Sequence, residues 1–241
     1  MSEQQEARER DPARASGSAS PLRFVAQRLV LKPLLRTFVD VDVIGREHLR
    51  GLDGALVVVA NHSSHLDAPL VLCSLPRRLG LRLAVAAAAD YFFEDRWRAG
   101  FTKAVFNAFP MERKIGRGRL GKAAELLDAG MPLLLFAEGT RSRTGAMARF
   151  KPGAAALCLS RDVPCVPIGL RGAFAAMPSG RHWPVRGRPD VAVHIGVPLR
   201  AQPGESIRSF SLRMQTAVAE LADQVAGSGE PAEDPPRECE A

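Results

Sequence analysis

A histidine and an aspartate stand five residues apart in Asn61-His62-Ser63-Ser64-His65-Leu66-Asp67. An imidazole, with an unperturbed pKa of about 6.5, accepts and returns a proton near neutrality. A carboxylate beside it fixes the tautomer and stabilises the imidazolium that forms. Ser63 and Ser64 are near, but the strand-turn-helix pattern Gly-x-Ser-x-Gly of an activated serine is absent. The pair therefore reads as a base, His62, and its orienter, Asp67, acting directly on a substrate hydroxyl. General-base help of this kind supplies about 10²–10⁴-fold. The plainer alternative is a loop histidine followed by an aspartate N-cap. A metal site is a further alternative. His62, His65 and Asp67 crudely echo the His-x-His-x-Asp-His set of binuclear zinc hydrolases, but the first gap is too long and Ala68 replaces the last histidine. No metal site is expected.

A second polar cluster is Glu138-Gly139-Thr140-Arg141-Ser142. Arg141 offers a planar fork that suits phosphate, and Thr140 and Ser142 add hydroxyls. Gly139 permits close approach of the backbone. Glu138 would repel a phosphate and is expected to orient Arg113 or Arg141, or to bond a substrate hydroxyl. Arg113 is a further phosphate candidate. Gly116-Arg117-Gly118-Arg119-Leu120-Gly121 spells Gly-x-Gly-x-x-Gly, but no apolar strand precedes it. A flexible basic loop fits better than a dinucleotide fingerprint.

Both clusters need a scaffold that brings them together. Ala55 to Ala60 is a short, continuously apolar, Val-rich run, which favours a buried strand. Leu133 to Ala137 reads the same way. Each motif thus leaves the carboxyl end of a strand, where open α/β sheets hold their ligands. Val39 to Ile44 alternates as a half-exposed strand. Phe109-Pro110-Met111 is a short strand or turn, and Val163 to Leu170 and Asp190 to Ile195 are further strands. Ala68 to Leu75, Arg96 to Asn107, Leu120 to Ala129, the segment opened by Lys151-Pro152-Gly153, and Ser206 to Val225 are expected to be helices. Leu81 to Ala88 is ambiguous because alanine suits either state. Strands alternating with helices predict an α/β fold: a single domain, with a central mixed, mostly parallel sheet flanked by helices.

The ends read differently. Residues 1–20 and 227–241 offer almost nothing to bury and predict disordered tails. Between 21 and 38, Arg28, Lys32 and Arg36 recur every four residues, and Phe24, Leu31, Leu35 and Phe38 share another face. Pro33 should divide this segment into an amphipathic helix pair. The pattern fits equally a membrane interface or a helix pair packed on the domain of residues 39–226. The formal charge is +7, from 33 Lys+Arg against 26 Asp+Glu. This suits anionic partners. Aromatics are sparse and not interleaved with basic runs, so nucleic acid is not expected. Four cysteines form no Cys-x-x-Cys pair and read as reduced thiols. Neither a secretory signal nor an apolar run of about 18–20 residues is evident.

Taken together, the blocks resemble the 1-acylglycerol-3-phosphate acyltransferase family, the glycerolipid acyltransferases. Asn61, His62 and Asp67 match Asn-His-x-x-x-x-Asp. Phe109 to Arg113 loosely match an arginine after a short apolar stretch. Phe136, Glu138, Gly139, Thr140, Arg141 and Ser142 match Phe-x-Glu-Gly-Thr-Arg-Ser. Phe150, Lys151 and Gly153 match Phe-Lys-x-Gly, and Val166, Pro167 and Ile168 match Val-Pro-Ile. The blocks keep their order over roughly residues 39–197. Asn107 and Glu112 stand where the family often has Gly and Asp. The resemblance implies acyl transfer to lysophosphatidate, or to another lysophospholipid or glycerol-phosphate acceptor, and a non-catalytic lipid-binding relative is the rival of another class. It implies His62 and Asp67 as the catalytic pair. Asn61, Arg113, Glu138, Gly139, Thr140, Arg141 and Lys151 would bind substrate. Acyl-CoA or acyl-carrier protein would be the donor, with no cofactor. A lipid acceptor implies peripheral attachment, through residues 21–38, to an anionic membrane surface at the cytoplasmic face of the cell membrane.

Overall fold

Strand β2 (Val57–Ala60) is buried at every position and lies at the middle of the sheet. Its residues alternate between two cores. Val58 and Ala60 pack with Leu70, Val71, Leu72 and Leu79 on one face, and Val57 and Val59 pack with Leu157, Phe210, Met214 and Val218 on the other. A strand covered on both faces has no polar side, which is why its sequence is continuously apolar.

The computed structural model describes residues 21–88, 107–111, 121–181 and 183–224. The two expected tails, most of the expected helix over 96–107, Arg113 and all but Gly121 of the glycine-rich loop lie outside the described residues.

Among the described residues the other strands are β1 (Asp40–Ile44), β3 (Ala84–Ala88), β4 (Phe109–Met111), β5 (Leu133–Leu135), β6 (Cys165–Arg171) and β7 (Asp190–Ile195). Their order across the sheet is β1-β7-β6-β2-β5-β3-β4. All neighbours are parallel except β6 and β7. The sheet is therefore mixed and mostly parallel. After β2 the chain moves beyond β5 to lay down β3, and after β5 it crosses back over β2 to lay down β6. The carboxyl ends of β2, β5 and β6 share one rim.

Helices cover both faces. The first layer holds α1 (Pro21–Phe24), a π-helical stretch (Val25–Leu31), α2 (Lys32–Phe38), α3 (Asp67–Ser74) and α4 (Arg77–Arg82). The second holds α5 (Gly121–Asp128), α6 (Gly153–Arg161) and α8 (Ile207–Asp223), while α7 (Ala173–Ala176) follows β6. Phe210, Met214 and Val218, four apart on α8, are fully buried. Each such side chain contributes about 1.5–3 kcal/mol of transfer free energy. Ser206 caps α8 by accepting the Ser209 N–H at 3.1 Å. A Cβ at Gly169 of β6 would collide with the backbone of Leu221 and Ala222, so α8 can lie against the sheet only over glycine.

Two expectations change. Leu81 to Ala88 is neither strand nor helix throughout: α4 ends at Arg82 and β3 begins at Ala84. Nor does Pro33 divide the N-terminal segment into two helices, since helical structure runs from Pro21 to Phe38 without a break. The π-helical stretch before Pro33 ends with the Lys32 N–H on the Gln27 carbonyl, and Pro33 then enters in the first turn of α2, where proline is tolerated.

The orientation of this segment was not apparent from its periodicity. Leu35 is buried and Leu31 and Phe38 pack beside it. The basic side chains do not simply face solvent. Arg28 Nη2 donates to the Leu75 carbonyl at 3.0 Å and Arg23 Nη1 to the Leu81 carbonyl at 3.1 Å. Arg46 Nε donates to the Ser74 carbonyl at 3.1 Å. These carbonyls lie at the carboxyl ends of α3 and α4, where helix dipoles favour cations. A second apolar face is left outside: Val25, Leu29, Val30 and Leu34 are 43–62% exposed. Among the described residues no helix is long and apolar enough to cross a membrane.

Candidate active site

Asp67 is the first residue of α3 and is completely buried. Its Oδ2 accepts the N–H of Ser63 at 2.7 Å and of Ser64 at 2.8 Å, and lies 2.8 Å from His62 Nδ1. A carboxylate oxygen can only accept here, so Nδ1 carries the proton and Nε2 is left with a lone pair. The Asp67 Oδ1 is buried and bonds to no protein group. Three donors on one oxygen fix the turn between β2 and α3.

The imidazole is held on its face as well. Phe136 stacks on His62 with ring centroids 3.9 Å apart and planes 15° from parallel. The His62 side chain keeps 20% of its surface exposed, against none for Asp67. One nitrogen is thus committed inward, one face is covered, and the remaining edge is reachable by a substrate.

The structure brings the second cluster to the same rim, but uses Glu138 differently from expectation. Its Oε1 accepts the His62 N–H at 2.6 Å and its Oε2 accepts the Ala148 N–H at 2.7 Å. Each oxygen accepts one backbone N–H, and among the described residues no bond joins Glu138 to Arg141. Glu138 ties the turn after β2 to the turn after β5. Burial pushes its pKa above the usual carboxylate range, and the two N–H bonds oppose that rise. Ser142 N–H closes the same seam by donating to the His62 carbonyl at 2.8 Å.

Asn61 also departs from its expected part in substrate binding. Its Nδ2 donates to the Leu170 carbonyl at 2.9 Å, and its Oδ1 accepts the Leu170 N–H at 2.7 Å. The side chain clamps the end of β2 to β6 and so sets where His62 begins.

Gly139, Thr140, Arg141 and Lys151 stand at the rim. Gly139 has φ +78° and lies directly beneath the Lys151 side chain, which any Cβ at 139 would strike. The Lys151 N–H donates to the Ala137 carbonyl at 2.8 Å, fixing where that chain begins. Thr140 is exposed. Arg141 Nη1 donates to His65 Nε2, which directs both side chains to the same edge. His65 therefore faces Arg141 rather than joining His62 and Asp67. Among the described residues, no three His, Cys, Asp or Glu side chains converge in a cage for a metal ion. Arg113 lies outside the described residues. The stacking role of Phe136 is not apparent from the sequence, although the residue directly follows β5 and stands two positions before Glu138.

A family model described as Acyltransferase matches residues 40–171, more than half of the sequence. The chain belongs to the acyltransferase family. The chain is 33% identical over 162 residues to a 1-acyl-sn-glycerol-3-phosphate acyltransferase of Chlamydomonas reinhardtii, covering 67% of this chain and 48% of that protein. It is 31% identical over 165 residues to a chloroplastic 1-acyl-sn-glycerol-3-phosphate acyltransferase of Brassica napus, covering 67% and 46%. The chain spans about half the length of these curated relatives. Its fold is that of the crystal structure of the 1-acyl-sn-glycerophosphate acyltransferase of Thermotoga maritima. The TM-score is 0.63 at 24% identity, covering 85% of this chain and 84% of that one.

Proposed function

We propose that this protein moves a fatty acyl group from an acyl thioester to the free hydroxyl of 1-acylglycerol-3-phosphate, giving phosphatidate. The observation that carries the reading is the His62–Asp67 pair at 2.8 Å, with the imidazole stacked on Phe136 and its outer edge open. His62 Nε2 takes the proton of the acceptor hydroxyl as its oxygen attacks the thioester carbon. Asp67 balances the imidazolium. The tetrahedral intermediate collapses by breaking the carbon–sulfur bond, and the departing thiolate receives the proton from Nε2. The hydroxyl is itself the nucleophile, so neither serine is acylated. A thioester arrives with an activated carbonyl, so acyl-CoA or acyl-carrier protein serves as co-substrate and no cofactor takes part. Arg141, Thr140 and Lys151 supply cationic and hydroxyl groups for the phosphate of the acceptor, and Arg113 is assigned the same task.

The acceptor is a membrane lipid, and the exposed face of Val25, Leu29, Val30 and Leu34 supports peripheral attachment at the cytoplasmic face of the cell membrane. Here the apolar face, rather than the arginines spent on helix ends, makes the main contact. The test is incubation of purified protein with lysophosphatidate and a panel of acyl-CoA and acyl-carrier-protein donors. Phosphatidate should form and should be lost in His62→Ala and Asp67→Ala, both of which still bind lipid vesicles. No product from any donor, or undiminished product from His62→Ala, would overturn the assignment.

A further inference from the structure

Trp183 is the most exposed large apolar side chain among the described residues, at 69%. It lies in the segment between α7 and β7, which also carries Arg181, Arg186 and Arg188. Its ring meets Phe38, the last residue of α2, with centroids 6.1 Å apart. Phe38 itself packs on the core beside Leu35, so the tryptophan stands at the end of the N-terminal helix whose outer side shows Val30 and Leu34.

The segment is held at its base and free at its tip. Val185 N–H donates to the Ala176 carbonyl at 2.8 Å, and Arg181 N–H to the Pro178 carbonyl at 3.1 Å. Arg188 Nη2 lies 3.4 Å from Asp40 Oδ1 at the start of β1. Arg181 and Arg186 are exposed, and neither is in an ion pair among the described residues. An exposed indole between unpaired guanidinium groups matches the interface of an anionic bilayer, where the ring sits at headgroup level and the cations meet phosphate. The base of the segment also touches the active site. Ser64 Oγ donates to the Met177 carbonyl at 2.9 Å, and the Ser64 N–H is one of the three donors on Asp67.

We propose that residues 178–188 form a second membrane-docking element, with Trp183 inserted in the interface and Arg181 and Arg186 on anionic headgroups. Together with the N-terminal helix it fixes the orientation of the protein on the bilayer, with the His62 rim toward the lipid. The docking stands on its own observations. Its consequence for turnover rests on the acyl-transfer reading above.

The chain has two tryptophans, so Trp97→Phe leaves Trp183 as the sole indole. Its emission should shift to the blue on adding vesicles of phosphatidylglycerol and phosphatidylcholine, and brominated lipid should quench it. Arg181→Ser with Arg186→Ser should weaken partition to those vesicles about thirtyfold, and much less to phosphatidylcholine alone. Should Trp97→Phe fail to fold, cosedimentation of Trp183→Ser with the same vesicles gives the answer. Trp183→Ser should lower turnover of lysophosphatidate embedded in vesicles and leave turnover of a short-chain, monomerically dispersed lysophosphatidate unchanged. Unshifted emission, or undiminished binding by Trp183→Ser, would overturn the docking. Docking without turnover of either form of acceptor would instead overturn the acyl-transfer reading.

Discussion

The turn after β2 and the helix before β1 treat their side chains in opposite ways. In the turn, Asp67 and Glu138 are buried and four backbone N–H groups converge on them, so three of their four carboxylate oxygens are matched inside the protein. In the helix, arginines are turned toward the carboxyl ends of α3 and α4 while valine and leucine face outward. The first region is held by bonds within the protein. The second leaves apolar area that none of the other described residues covers. The contrast teaches that a polar site can be held in place before substrate arrives, while an exposed apolar face offers a surface for a partner.

The strongest way to probe this contrast acts on the turn. His62→Ala should reduce turnover by about 10²–10⁴-fold with little change in unfolding midpoint, measured by product formation beside thermal melts. A loss of folding in parallel would mean that the imidazole holds the turn rather than serving chemistry. Asn61→Ala comes next. It leaves the buried N–H and carbonyl of Leu170 unpaired, at about 1–3 kcal/mol for each group, read by urea denaturation.

Glu138→Gln tests the same seam through pH. Burial lifts the folded pKa of Glu138 above its unfolded value of 4.5, so the folded chain holds that proton more tightly. Its contribution to stability is fully present below pH 4.5 and declines as pH rises through the raised value. The glutamine variant lacks that slope. The advantage of the parent chain over the variant should therefore narrow across this window, and denaturation at several pH values would show a constant gap if Glu138 were not the group responsible. The smallest effect on stability belongs to the helix. Leu29→Ser with Val30→Ser should change folding stability by about 0.5 kcal/mol or less, yet weaken vesicle binding about tenfold or more. Equal losses in both assays would show that the face packs within the protein.

Much of this was legible in the residues. The β2 and β5 runs announced themselves by unbroken apolar character, and the five-residue gap between His62 and Asp67 predicted a pair that the fold brings to 2.8 Å. What stayed hidden were partners that carry no letter. Glu138 and Asn61 bond backbone groups of His62, Ala148 and Leu170, and a string of side chains says nothing about which amide will stand opposite a carboxylate. The reversed pairing of β7 with β6 was hidden for the same reason, since Asp190 to Ile195 is apolar enough to run either way. Pro33 misled because the penalty of proline depends on the helical period just before it.

The ring of Phe136 against His62 has a consequence for ionic strength. Stacked rings owe their cohesion to dispersion and to water released from their faces, and dissolved salt barely screens such forces. The bonds on Asp67 are shielded from mobile ions by burial. Raising potassium chloride should therefore leave the base aligned while weakening the proposed contacts of Arg141 and Lys151 with a phosphate, so KM climbs and kcat holds steady.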